Sequence, residues 1–168
     1  MLLFYNFHTK LTLFMKKALS FIIPIALGFI VGVTAYYFQA PTIDTWYPTL
    51  NMSSLTPPNI AFPIAWSIIY LCSGLSMGII WTKQTMARIP MSVLFVGQLF
   101  LNFMWSIGFF YLMNPMAGLA TIVILDVFII YYMWRAIDIS RVATWLFAPY
   151  AAWLILATYL NAYIVVFN

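Results

Sequence analysis

The sequence predicts an all-α integral membrane protein, a bundle of five transmembrane helices. Three observations carry that expectation. Of the 168 residues, 65% are hydrophobic and only 6% are charged, against roughly 25% charged in a soluble domain. The apolar residues gather into five runs, approximately 18–39, 61–82, 90–113, 115–136 and 141–167. Each approaches or exceeds the roughly 20 residues that carry a helix across a hydrocarbon core about 30 Å thick. The cations, finally, all fall in the gaps that five crossings place on one side.

The first gap, residues 1–17, is read as a cytoplasmic extension bearing Lys10, Lys16 and Lys17. Its cationic start also suits a secretory signal peptide, but the apolar run is too long and no small-residue cleavage site follows. Met15-Lys16-Lys17 offers a second candidate start. Residues 18–168 then form a single domain. Pro41 is expected to end the first helix, Pro57-Pro58 precede the second, and Pro90 and Pro115 open the third and fourth. The linker 40–60 is too long and too aromatic for a plain turn, and Trp46, Tyr47 and Leu50 predict a folded, docked loop. Lys83 and Arg88 lie between helices two and three, and Arg135 and Arg141 between four and five. Seven cations on one side and none on the other predict a cytoplasmic N-terminus, with the 40–60 loop and the C-terminus on the opposite side.

Composition also excludes several function classes. The seven Lys and Arg form no basic stripe, so no nucleic-acid partner is expected. Cys72 is the sole cysteine and His8 the sole histidine, which leaves no disulfide, no thiolate cluster and no metal centre. Glu is absent, and Asp44, Asp126 and Asp138 form no carboxylate pair in sequence. No catalytic set and no cofactor are expected, and an enzymatic role is disfavoured.

What remains is a group of aromatic and amide side chains at membrane depth. Gln98, Asn102 and Trp105 share one stripe of the third helix. An amide in lipid has no water to bond, so this stripe should face protein or a ligand cavity. Interhelical hydrogen bonding explains it as well as ligand contact does. Trp66 and Tyr70 lie one turn apart on the second helix, as either an interfacial belt or a pocket wall. On the fifth, Pro149-Tyr150 is followed by Trp153, Ala157 and Asn161 on one face, suited to packing or to leaving room for a ligand. Asp126, near the middle of the fourth helix, needs a partner or a proton. Gly28-x3-Gly32 and Gly74-x3-Gly78 predict close helix contacts, within or between subunits.

Taken together, Trp46-Tyr47, Pro57-Pro58, Trp66-x3-Tyr70, Gly97-Gln98-x3-Asn102-x2-Trp105-x3-Phe109-Phe110 and Pro149-Tyr150-x2-Trp153-x3-Ala157-x3-Asn161 resemble the TspO/MBR family, the translocator proteins or tryptophan-rich sensory proteins. The resemblance spans roughly Trp46 to Asn161. It implies a five-helix bundle, often a homodimer, with a pocket opening toward the 40–60 loop. It further implies binding of porphyrins such as protoporphyrin IX and of other hydrophobic drug-like ligands. By motif, Trp66, Gln98, Asn102, Trp105, Tyr150, Trp153 and Ala157 would line or support that pocket. The chain departs from the family pattern at Met52-Ser53-Ser54-Leu55, where a loop cation and an aromatic lid are missing, and at Ala162, where some relatives carry a second pocket Trp. These departures argue against porphyrin breakdown, and the absence of Lys or Arg after Arg141 argues against sterol recognition through the last helix.

The resulting expectation is a receptor or transporter-like protein for porphyrins and other flat apolar ligands, with a sensory or stress-regulatory role. A porphyrin-degrading enzyme and a membrane scaffold without transport are the alternatives. A bacterial cytoplasmic membrane is the expected location.

Overall fold

The computed structural model describes residues 2–83 and 85–168, with side chains from Thr12 onward. The expectations for Met1 and for the side chains of His8 and Lys10 lie outside the described residues. The described residues are helical or irregular, and five of the helical segments are long and apolar enough to cross a membrane. The elements are α1 (Leu2–Ile43), α2 (Ala61–Thr82), α3 (Arg88–Ser106), α4 (Pro115–Ile137), α5 (Arg141–Trp145) and α6 (Ala148–Phe167). A 3-10 turn, Tyr47–Thr49, interrupts the first loop, and a π-helical turn, Ile107–Tyr111, extends α3.

Consecutive spans run antiparallel. Around the bundle, α1 neighbours α2, α2 neighbours α5 and α6, α6 neighbours α4, and α4 neighbours α3, which returns to α1. The shared core includes Ile69, Met77, Phe95, Leu125, Tyr132 and Phe147. Outside it, Ile30, Val96, Val127, Ile130 and Ile155 are exposed. That arrangement suits a protein whose surroundings are as apolar as its interior.

Three boundaries differ from the sequence expectation, each for a local reason. Pro41 does not end the first helix but sits inside its last turn, so α1 reaches Ile43 rather than residue 39. The hydroxyls of Thr42 and Thr45 bond the Gln39 and Pro41 carbonyls at 2.9 and 2.7 Å, satisfying acceptors that a helix end leaves open. The last span is not one helix. Pro149 has no N–H to donate, and the chain breaks at Leu146–Phe147 so that Pro149 falls in the first turn of α6. The third span leaves α-geometry at Ile107, where Leu112 N–H reaches the Ile107 carbonyl at 2.9 Å. Met113 then takes the left-handed region at φ 49°, and Asn114 caps α4 by accepting the Ala117 N–H at 3.0 Å.

Both glycine pairs act within the chain. Gly28 and Gly32 receive the ring of Tyr70, while Gly74 and Gly78 lie against Ile25 and Phe21. These four glycines set the close crossing of α1 and α2, because a Cβ at any of them would crowd the facing helix.

At the opposite side of the core, the buried Ser76 hydroxyl donates to the Ala143 carbonyl at 2.7 Å and meets the Tyr132 hydroxyl at 3.1 Å. It therefore ties α2 to α4 and α5. Ser76→Ala is expected to lower stability in denaturant titration of the detergent-solubilised protein by about 1–2 kcal/mol. An unchanged unfolding midpoint would show that the tie contributes nothing.

Candidate functional site

Between α1, α2, α3 and α6 lies a cavity of about 510 Å³, a size suited to a small-molecule ligand. It runs from Tyr70 and Asn102 in the middle of the bundle toward the end that carries the 40–60 loop, where Ile43, Tyr47, Asn59 and Phe62 line it. The walls are aromatic. Trp66 stacks on Tyr70 with ring centroids 5.5 Å apart and meets Tyr150 edge-on at 6.0 Å. Trp153 packs edge-on against Phe62 at 5.6 Å, and Trp105 stacks on Phe109 at 5.6 Å. Ala157 and Leu160 continue the α6 wall, and the small side chain of Ala157 leaves the space beside Trp153 open.

A chain of uncharged polar groups runs from the loop end of α1 down to the deep end of the cavity. Gln39 Nε2 donates to Ser106 Oγ at 2.6 Å. Asn102 Nδ2 donates to the Tyr150 hydroxyl at 3.0 Å, and the Tyr70 hydroxyl donates a longer bond of 3.4 Å to Asn102 Oδ1. Nearer the loop, Trp105 Nε1 donates to Asn161 Oδ1 at 3.1 Å, and Asn161 Nδ2 donates to the Pro115 carbonyl at 2.8 Å. These bonds hold the amides and the indole in fixed orientations, since buried polar atoms in an apolar medium keep the partners they have. No Asp, Glu, Lys, Arg or His is found among the described residues that line the cavity.

The 40–60 loop is docked over this end. Trp46 and Tyr47 pack on Phe109 at 5.5 and 6.2 Å, and Tyr47 also meets Phe110 at 5.5 Å. Burial pushes the Tyr47 phenol above its ordinary pKa. Asn51 and Asn168 exchange two hydrogen bonds, at 2.7 and 3.3 Å, and the Ser53 and Tyr159 hydroxyls lie 3.1 Å apart. The loop is thereby pinned to α6 at both Asn51 and Ser53. Met52–Leu55 belongs to this pinned segment.

Of the nine residues singled out in the sequence, Trp66, Tyr70, Asn102, Trp105, Trp153, Ala157 and Asn161 all line the cavity. Tyr150 does not; it stands behind Asn102 as its hydrogen-bond partner. Gln98 does not either. It is fully buried one turn below Asn102, with neither amide atom hydrogen-bonded to another described residue. Asp126 also lies away from the cavity and accepts a 2.8 Å bond from the Thr158 hydroxyl, which ties α4 to α6.

Sequence reasoning missed the α1 wall: Phe29, Gly32, Ala35, Gln39 and Ile43. One signal was available, since Gly32, Ala35 and Gln39 recur at helical spacing and Gln39 is an amide at the end of an apolar run. Ser106 was also absent from the expected set, and a lone Ser gives no comparable signal; Tyr47, expected only to dock the loop, lines the cavity as well.

The sequence profile of the TspO/MBR family matches residues 20–167. A tryptophan-rich protein TspO from Archaeoglobus fulgidus is 34% identical over 154 residues, covering 92% of this chain and 97% of its own. One from Chlorobaculum tepidum is 34% identical over 157 residues, covering 91% and 98%. A tryptophan-rich sensory protein from Cereibacter sphaeroides is 30% identical over 118 residues, covering 70% and 73%. With its five apolar spans and this match over nearly all of them, the chain is a multi-pass membrane protein that belongs to the TspO/MBR family.

Proposed function

We propose that the protein binds porphyrins, protoporphyrin IX among them, and other flat apolar ligands in the cavity between α1, α2, α3 and α6. The carrying observation is the conjunction of three tryptophans, Trp66, Trp105 and Trp153, around one space whose deep end is closed by the hydrogen-bonded amide of Asn102. Aromatic faces give a flat ligand contact area, and a few fixed polar groups orient it. The relative named as a tryptophan-rich sensory protein supports a sensory role. The cation distribution supports a cytoplasmic N-terminus, and the bacterial relatives support a bacterial cytoplasmic membrane. Membership of the family favours a homodimer.

The test is a titration of the protein in nanodiscs with protoporphyrin IX, following quenching of tryptophan fluorescence. Saturable binding near micromolar, about −8 kcal/mol, is expected. Asn102→Leu keeps the side-chain size but removes both of the amide's bonds, and should weaken binding about tenfold. Unsaturable quenching, or equal affinity in a folded Asn102→Leu variant, would reject this assignment.

A further inference from the structure

We propose that the cavity selects neutral ligands and discriminates against anionic ones, a specificity that rests on its reading as a site for flat apolar molecules. The first observation is the lining itself, which among the described residues holds aromatic, aliphatic, amide and hydroxyl groups and no charged side chain. An anion placed there loses its water and meets no cation.

Longer-range compensation is missing as well. Gln39 stands at the loop end of α1, and Lys17 lies 22 residues earlier on the same helix, about 33 Å away along its axis. Lys83, Arg88, Arg135 and Arg141 flank helix ends on the Lys17 side of the bundle. At that distance the interaction is weak and salt screens what remains. The charged side chain beside the mouth has the wrong sign for an anion, because exposed Asp44 follows directly on the lining residue Ile43.

The polar groups of the lining do not substitute for a cation. Asn102 Nδ2 and Gln39 Nε2 each already donate one hydrogen bond within the protein. Their remaining N–H groups suit a ligand carbonyl, which needs one directed bond and carries no charge to neutralise. Access points the same way. Val33 and Tyr36 line the cavity yet are exposed on the apolar face of α1, so the space reaches the surface that meets lipid. A molecule arriving through hydrocarbon arrives uncharged.

Two probes with the same macrocycle separate the effects. Protoporphyrin IX carries two ionised propionates at neutral pH, and its dimethyl ester carries none. Each is titrated against the protein in phosphatidylcholine nanodiscs, with partitioning measured in protein-free nanodiscs and removed. The ester is expected to bind at least about tenfold more tightly. Gln39→Lys places a cation at the mouth and should shrink or invert that ratio. Free acid binding as tightly as the ester would overturn the charge selectivity and leave porphyrin binding standing. An unchanged ratio in a folded Gln39→Lys variant would also overturn it. Saturable binding of neither probe would overturn the reading of the cavity as a porphyrin site, and this inference with it.

Discussion

Gly74→Val is expected to detach α1 from α2 over their crossing and to lower the melting temperature of the detergent-solubilised protein more than any other single change considered. A Cβ at position 74 would stand 2.7 Å from both the backbone nitrogen and the Cα of Ile25. Backbone atoms of a helix cannot rotate away as a side-chain tip can, so the whole of α1 must shift. Overpacking of this kind costs about 1–3 kcal/mol where side chains yield, and a backbone contact belongs at the upper end of that range. Because α1 carries Gly32, Ala35 and Gln39 in the cavity wall, ligand affinity should fall together with stability. Gly108→Ala is the matched control. Its added Cβ would approach no heavy atom closer than 3.4 Å, so alanine fits there and the melting temperature should hold. Equal behaviour of the two variants would show that the α1–α2 crossing is not glycine-limited.

Trp153→Ala should raise the Kd for protoporphyrin IX about thirtyfold, equivalent to roughly 2 kcal/mol. Trp153 is half-buried on the α6 wall, packed edge-on against Phe62, and lines the cavity beside Ala157. Truncation removes contact area from the ligand without breaking a hydrogen bond recorded for the protein, so the loss should fall on binding more than on folding. Binding is best followed by the ligand's own absorbance, because the variant lacks one of the fluorescent reporters. Trp145→Ala serves as the control, since Trp145 is exposed at the end of α5 and lies outside the cavity. A folded Trp153→Ala protein with unchanged affinity would move the ligand away from α6.

Much of this was legible in the sequence because membrane helices follow composition closely. Every span was visible as an apolar run, since a backbone in hydrocarbon must satisfy its own hydrogen bonds and has few alternatives to a helix. The stripe of Asn102 and Trp105 and the face of Trp153, Ala157 and Asn161 could be read from spacing alone, and both now line one cavity. Pro41 does not stop the first helix, because a proline in a last turn removes only one backbone bond and α1 runs on to Ile43. The single apolar run over 141–167 predicts one helix, whereas the chain separates before Pro149 into α5 and α6.

The difference between Gln98 and Asn102 shows where spacing stops being informative. Both are buried amides on the same stripe, one turn apart. Asn102 reaches Tyr70 on α2 and Tyr150 on α6, while Gln98 lies below the cavity and bonds neither helix. Their depth relative to the cavity floor depends on how α2 and α6 are set against α3, and no local pattern encodes that.

By itself, the sequence determined the number of membrane spans, the membrane setting, the side on which the cations gather and the faces that carry aromatic and amide groups. These follow from transfer free energies and helical periodicity, which act residue by residue. Tertiary structure alone decided that α1 supplies a cavity wall, that Gln39, Ser106, Asn102 and Tyr150 join into one polar chain, and that the 40–60 loop is pinned to α6. Those features depend on the distance between helices, and here that distance is set by glycines meeting Ile25, Phe21 and Tyr70 across the α1–α2 crossing.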